Sequence, residues 1–131
     1  PILGICYGLQ LLCNEFRGKI GQSSSREYGH SLINLNKKSV LFKSVKKTSQ
    51  VWMSHGDHIK KEPNGFVVTS FSNKNVISSI ENKKKMIFGL QFHPESILTP
   101  TGGPLIEALL SAAIEHGEFK RAKAGHASGL D

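Results

Sequence analysis

Apolar and polar positions change their period several times along this chain, and each change marks an element. Residues 1–5 (PILGI) are a nearly unbroken apolar run and predict the end of a buried strand. Over 7–17 (YGLQLLCNEFR), Leu9, Leu12, Cys13 and Phe16 fall on one helical stripe, with Gly18 placed as the stop. Lys19 to Gln22 reads as a short strand, Ser23-Ser24-Ser25 as a loop, and 26–36 (REYGHSLINLN) as a strand with imperfect alternation at Leu32, Ile33 and Leu35. Residues 39–45 read as a turn or short helix. Strands are predicted at 50–54 (QVWMS), 65–71 (GFVVTSF), 76–80 (VISSI) and 86–92 (MIFGLQF), with Pro63-Asn64-Gly65 as punctuation. The clearest helix is 104–117 (PLIEALLSAAIEHG): Pro104 suits the first turn, Leu105, Leu109, Ala112 and Ala113 make a stripe, and Gly117 suits the end. Residues 118–131 read as a frayed, basic tail, leaving 1–117 as the folded unit. Strands mixed with flanking helices predict an α/β layer fold, with the helix after Cys6 on one face of the sheet.

Composition narrows the picture. A chain of 131 residues has room for one domain with a real core, not two. No run approaches the ~18–20 apolar residues of a membrane span, and there is no signal-peptide pattern. The chain starts at Pro1, directly on an apolar run and without methionine, so we expect a missing N-terminus. Cys6 and Cys13 are too few for a disulfide framework, and reduced, cytoplasmic thiols are the natural reading. Cys13 is expected to pack inward. The net charge of +7 comes from scattered lysine pairs, Lys37-Lys38, Lys46-Lys47 and Lys60-Lys61, and from Lys83-Lys84-Lys85. Most flank turns and lack interleaved aromatics, so they predict a solvated surface and no nucleic-acid partner. Residues 1–98 contain no alanine, whereas 104–131 contain six. Helix propensity explains part of that break, and a joined reading frame near 96–104 is the alternative.

The chemistry centres on "GICYGLQ", residues 4–10. A strand, then Gly4-Ile5-Cys6-Tyr7-Gly8, then a helix describes a nucleophile elbow, in which small residues two positions either side relieve the crowding of a strained turn. The helix N-terminus would direct free N–H groups at the sulfur, lowering the thiol pKa and offering an oxyanion donor after the cysteine. The alternative is an ordinary buried thiol at a turn. A nucleophilic cysteine needs a base, and the base an orienting group. "GLQFHPES", residues 89–96, provides His93 at the carboxyl end of a strand, with Pro94 fixing the bend and Glu95 two residues on. A strand-end histidine beside a loop acid would look the same. Arg26-Glu27 reads as a surface ion pair of little worth. His55, Asp57 and His58 could in principle hold a metal, but no further ligand cluster supports that, and we expect none.

Taken together, G-I-C-Y-G-L-Q and Q-F-H-P-E resemble the class I (triad) glutamine amidotransferases. The resemblance implies a flavodoxin-like α/β sheet with flanking helices, here incomplete at the N-terminus. It makes Cys6 the nucleophile, His93 the acid/base and Glu95 the orienting carboxylate, with an oxyanion N–H from Tyr7, and Gly8 and Gln10 at the bound glutamine. "SREYGH" (25–30) and "VWMSHGD" (51–57) resemble the glutaminase domain of GMP synthases, which maps His55, Gly56 and Asp57 to the wall of the glutamine pocket. That implies ammonia supply to an ATP pyrophosphatase (synthetase) domain or separate chain that aminates xanthosine monophosphate. ATP and Mg would belong to that partner, and the glutaminase step would need no cofactor. The resemblance covers roughly residues 1–103. It implies an earlier glycine-containing loop, supplying a second oxyanion N–H, that this sequence does not include, so low activity is expected of the segment alone. "SILTPTGGPLIEALL" looks more like the ending of anthranilate synthase glutaminases. The glutaminase of anthranilate or aminodeoxychorismate synthase, a γ-glutamyl cysteine hydrolase and a catalytically silent fragment are therefore the alternatives.

Overall fold

Residues 1–35, 39–42, 45–96 and 98–123 are described by a computed structural model. The apolar run at the start of the chain is strand β1 (Ile2–Ile5), and the helical stripe after it is α1 (Tyr7–Glu15). There follow β2 (Lys19–Leu35), β3 (Thr48–Lys61), β4 (Val67–Ser72), β5 (Ile77–Asn82), β6 (Ile87–Leu90) and α2 (Gly102–Lys123). The strands form one sheet in the order β1-β6-β5-β4-β2-β3. β1 and β6 pair parallel, from Ile2↔Ile87 to Ile5↔Leu90; the other pairs are antiparallel. A parallel pair needs a long crossover, and here the crossover is the whole middle of the chain.

β6 is buried along its length, and its alternation sorts side chains to two faces. Ile87 joins Leu9, Cys13, Ile59, Phe66, Ile77 and Ile80 beneath α1. Phe88 and Leu90 join Ile33, Val51, Met53, Phe92 and Leu105 on the other side, where Leu109 and Ala112 of α2 also pack. Leu9 lies directly on Gly89, where a Cβ would collide with it. Ile106, Leu110 and Ile114 of α2 remain exposed.

Several elements differ from the sequence expectations. The short strand at 19–22 and the strand from 26 are one strand, β2, and the Ser23–Ser25 loop lies within it. There the register jumps from Gln22↔Asp57 to Glu27↔His55, so the serines mark a bulge rather than a break. β3 continues seven residues beyond 54, because the polar-looking 55–61 finds its ladder partner in Lys19–Gln22 and Glu27. Helix α1 stops at Glu15; Arg17 takes the left-handed conformation (φ 69°). The N–H groups of Arg17 and Gly18 bond back to the carbonyls of Asn14 and Cys13 at 3.2 and 2.7 Å, a Schellman closure. Gly18 is therefore one position past the left-handed residue, at a spot where a Cβ would meet Cys13 and the Lys61 carbonyl. Helix α2 passes Gly117 and reaches Lys123, so the expected tail begins as helix. Nothing lies within 4 Å of a Cβ at Gly117, which is a poor helix former but not a stop by itself. Residues 39–42 and 45 form turns; positions 43–44, position 36 and the tail beyond 123 lie outside the described residues.

The elbow glycines separate in their packing. A Cβ at Gly4 would lie 2.6 Å from Leu12 Cδ1 and 2.7 Å from the Gly8 carbonyl oxygen, whereas one at Gly8 meets nothing within 4 Å. Gly4→Ala should therefore destabilise the fold by about 1–3 kcal/mol. Gly8→Ala, in a helix, should leave stability unchanged or raise it by up to about 1 kcal/mol. Urea unfolding of both variants checks the contrast, and equal losses would contradict it.

Candidate active site

Cys6 joins β1 to α1 with φ 54° and ψ −104°, a conformation that L-residues rarely adopt. Such strain persists only where the surroundings over-determine it. Here the Cys6 N–H bonds the Leu90 carbonyl at 2.7 Å, and the Gln10 N–H bonds the Cys6 carbonyl at 3.3 Å as the helix starts. The close approach of Gly4 to the Gly8 carbonyl lets the chain reverse so tightly. The elbow crowding foreseen for both glycines thus applies to Gly4 alone; Gly8 faces open space.

His93 lies three residues beyond β6, on the sheet edge that Cys6 also leaves, because β1 and β6 run parallel with Ile5 opposite Leu90. Its Nδ1 lies 2.8 Å from Glu95 Oε2. A carboxylate accepts, so Nδ1 is the donor, and in the neutral ring that leaves the lone pair on Nε2. The His93 N–H bonds the Trp52 carbonyl at 3.0 Å. Two residues along β3, the Ser54 carbonyl lies 3.5 Å from Cys6 Sγ. Carbonyls two apart on a strand face the same way at a spacing of about 6.6–6.8 Å. One strand therefore holds the backbone of His93 and the sulfur of Cys6 side by side. No hydrogen bond joins the Cys6 thiol to His93 among the described residues.

The other expected site residues fall around this edge. Tyr7 exposes its ring and turns its backbone N–H to the sulfur. Gln10 Nε2 donates to the Asp57 carbonyl at 3.1 Å. Gly56 lies opposite the bulge of β2, beside Tyr28 and Arg26, with room for a Cβ. Asp57 contributes its carbonyl, while its side chain is exposed. His55 is buried, with Nδ1 2.8 Å from the Asp57 carbonyl and Nε2 2.8 Å from Glu27 Oε1. Both ring nitrogens are used inside the protein, so His55 offers no free ring nitrogen to a ligand.

Glu27 was expected in a surface pair with Arg26; it is instead 2% exposed and bonded to His55. The period-two pattern of β2, broken at the serines, hid which side Glu27 faces. Burial raises its carboxyl, but hydrogen bonds from His55 and Ser72 and the charges of His55 and Lys74 outweigh that and hold it below the ordinary range. No cluster of three or more His, Cys, Asp or Glu that could hold a metal occurs among the described residues.

The thiol itself departs from expectation. Burial pushes the Cys6 pKa up; the Tyr7 N–H and the Gln91 amide pull it down, and the Glu95 charge adds to the rise. The net shift is upward, so the helix N-terminus moderates the cost of burial without overcoming it. Gln91, fully buried, donates to Cys6 Sγ at 3.8 Å. It was not among the expected site residues, although it stands in the Q-F-H-P-E run. The available signal was an amide inside an otherwise apolar strand end, where a buried polar group needs partners. Cys13, as expected, points inward, toward the Lys61 carbonyl at 3.7 Å.

A family model described as glutamine amidotransferase class-I matches residues 1–112. A GMP synthase (glutamine-hydrolyzing) of Petrotoga mobilis is 48% identical over 95 residues, which are 72% of this chain and 19% of that protein. That of Thermosipho melanesiensis is 42% identical over 111 residues, 85% of this chain and 21% of the relative. The chain thus spans about a fifth of the length of these relatives. A crystal structure from Thermoplasma acidophilum, of a candidate component of GMP synthase, matches with a TM-score of 0.88 at 25% identity, covering 92% of this chain and 61% of that one. A glutamine amidotransferase of Thermotoga maritima, at 22% identity and a TM-score of 0.68, covers 100% of this chain and 50% of its own and shares the fold. The α/β sheet with flanking helices is that of the class I amidotransferases.

The buried titratable groups predict an acid-sensitive fold. Burial, then the charges of Lys60 and His55, lower the His58 pKa from 6.5. Its Nδ1 has no hydrogen-bond partner among the described residues. Below about pH 6.5 the unfolded chain takes up this proton first, so stability falls. Glu27, whose pKa is lowered from 4.5, adds stability above that value that is lost as pH falls through its folded pKa. Urea midpoints should be level down to about pH 6.5 and then decline. His58→Gln should flatten the first decline. Glu27→Gln should flatten the part below about pH 4.5 while lowering the plateau by about 1–3 kcal/mol. A midpoint unchanged between pH 7 and pH 4 would refute the assignment.

Proposed function

We propose, for a chain that belongs to the class I glutamine amidotransferase family, that this segment hydrolyses glutamine and supplies ammonia to a synthetase that aminates xanthosine monophosphate. The observation that carries the reading is the shared sheet edge: the Cys6 elbow and the His93–Glu95 pair leave adjacent parallel strands and are tied to neighbouring carbonyls of β3. GMP synthases at 42–48% identity support the choice of synthetase.

In this reading Cys6 Sγ attacks the side-chain amide carbon of glutamine while its proton passes to His93 Nε2. The carbonyl oxygen becomes an oxyanion that accepts the Tyr7 N–H. His93 then delivers the proton to the departing nitrogen, the C–N bond breaks, and ammonia leaves a γ-glutamyl thioester. Water loses a proton to His93 Nε2 and attacks the thioester; the C–S bond breaks, glutamate departs, and the thiol is restored. Covalent catalysis divides one hard step into two easier ones. Glu95 keeps Nδ1 protonated, so Nε2 is the nitrogen that moves protons. Burial raises the thiol pKa, so in this reading the proton passes to His93 as the sulfur attacks, with no standing thiolate beforehand.

ATP and Mg act in the synthetase's step. A reducing, cytoplasmic setting suits a free nucleophilic thiol beside a second free cysteine. No described helix is long and apolar enough to cross a membrane.

The test is ammonia and glutamate release by the full-length protein. Cys6→Ser should lower turnover by about 10³-fold or more, and Glu95→Gln by about 10²–10⁴-fold through loss of the productive tautomer. A glutamine-like diazo ketone should leave one adduct, at Cys6. Xanthosine monophosphate with ATP, and not chorismate, should consume the ammonia. Turnover that survives Cys6→Ser, or cleavage of γ-glutamyl peptides without ammonia from glutamine, would overturn the reading.

A further inference from the structure

Beneath the sulfur runs a line of hydrogen bonds that begins at a backbone carbonyl. Gln10 Nε2 lies 3.1 Å from the Asp57 carbonyl and 3.4 Å from Gln91 Oε1, and Gln91 Nε2 lies 3.8 Å from Cys6 Sγ. A carbonyl can only accept, so the Gln10 atom facing Asp57 must be its NH₂. The second proton of that NH₂ points to Gln91, which must answer with its oxygen. The end of Gln91 left facing Cys6 is then its NH₂, a donor. The Asp57 carbonyl is itself held by His55 Nδ1 at 2.8 Å, and buried His55 by buried Glu27, so the origin of the line is anchored.

We propose that Gln91 is a direct hydrogen-bond donor to the Cys6 nucleophile, oriented by Gln10 and the Asp57 carbonyl, and that it stabilises the sulfur anion after the proton has gone to His93. The proposal rests on the reading of Cys6 as the nucleophile. The sulfur faces opposed demands. The Ser54 carbonyl, 3.5 Å away, favours the protonated thiol. The Tyr7 N–H and the Gln91 amide favour the anion. The charged and titratable groups around it are His93 and Glu95 beyond β6, and on β2 and β3 the Glu27–His55 pair and Asp57. Gln91 is neutral, fully buried and on the strand end between Leu90 and Phe92, so it can lower the energy of a charge without adding one.

The experiment follows the rate of Cys6 alkylation by iodoacetamide from about pH 6 to about pH 11 in the full-length protein, with adducts located by mass spectrometry so that Cys13 does not contribute. Gln91→Met and Gln91→Glu should each move the profile alkaline by about one pH unit, a tenfold slower reaction below the midpoint. Glutamine turnover should show kcat falling about tenfold with KM little changed, a split that general loosening of the site would not produce. Gln10→Met, which leaves Gln91 in place but frees its amide to turn, should shift the profile the same way by less, and it carries the test if the Gln91 variants do not fold. Profiles of Gln91→Met or Gln10→Met that superimpose on the wild type would overturn the proposal. Failure of the underlying reading is seen separately, as wild-type Cys6 that takes no glutamine-like electrophile.

Discussion

β1 runs beside β6 with Ile5 opposite Leu90, and the Cys6 N–H extends that ladder into the Leu90 carbonyl at 2.7 Å. The candidate site depends on this parallel contact. It makes two chain segments more than eighty residues apart leave the sheet at one edge, one carrying sulfur and the other imidazole. An antiparallel pairing would send them to opposite ends. A parallel pair requires a long crossover and ends buried on both faces; the chain between β1 and β6 provides the first, and the clusters under Ile87 and under Phe88 the second.

The elbow is a local expense secured by packing. A left-handed φ at a cysteine costs on the order of 1–3 kcal/mol. It holds because Leu9 is buried on Gly89 and because Gly4 lets β1 touch the first turn of α1. The same packing takes the sulfur partly out of water, and that burial raises the thiol pKa. Strain, burial and a reluctant thiol are thus three results of one arrangement, and the donors around the sulfur answer the third.

The β2–β3 ribbon closes the site from the far edge of the sheet. Its bulge at Gln22–Glu27 lies opposite Gly56, and the Glu27–His55 bond ties the two strands just past it. A buried histidine bonded at both nitrogens is rigid, and it fixes the carbonyl of Asp57 that meets Gln10. Polar side chains that look like surface in the sequence are therefore buried between the strands beside Cys6 and Gln10.

Much of this was legible in the residues. Helical spacing placed α1, a short apolar run placed β6, and a glycine–cysteine corner together with a histidine and an acid two apart marked the chemistry. Those features depend on neighbours in the chain, and the amino-acid sequence alone determines them. The single long β2, the burial of Glu27, the engagement of both His55 nitrogens, the donor Gln91 and the upward shift of the thiol came only with tertiary structure. Each depends on groups brought together from distant positions, and neither a period nor a motif records which carbonyl a buried amide will meet or how much water a sulfur will lose.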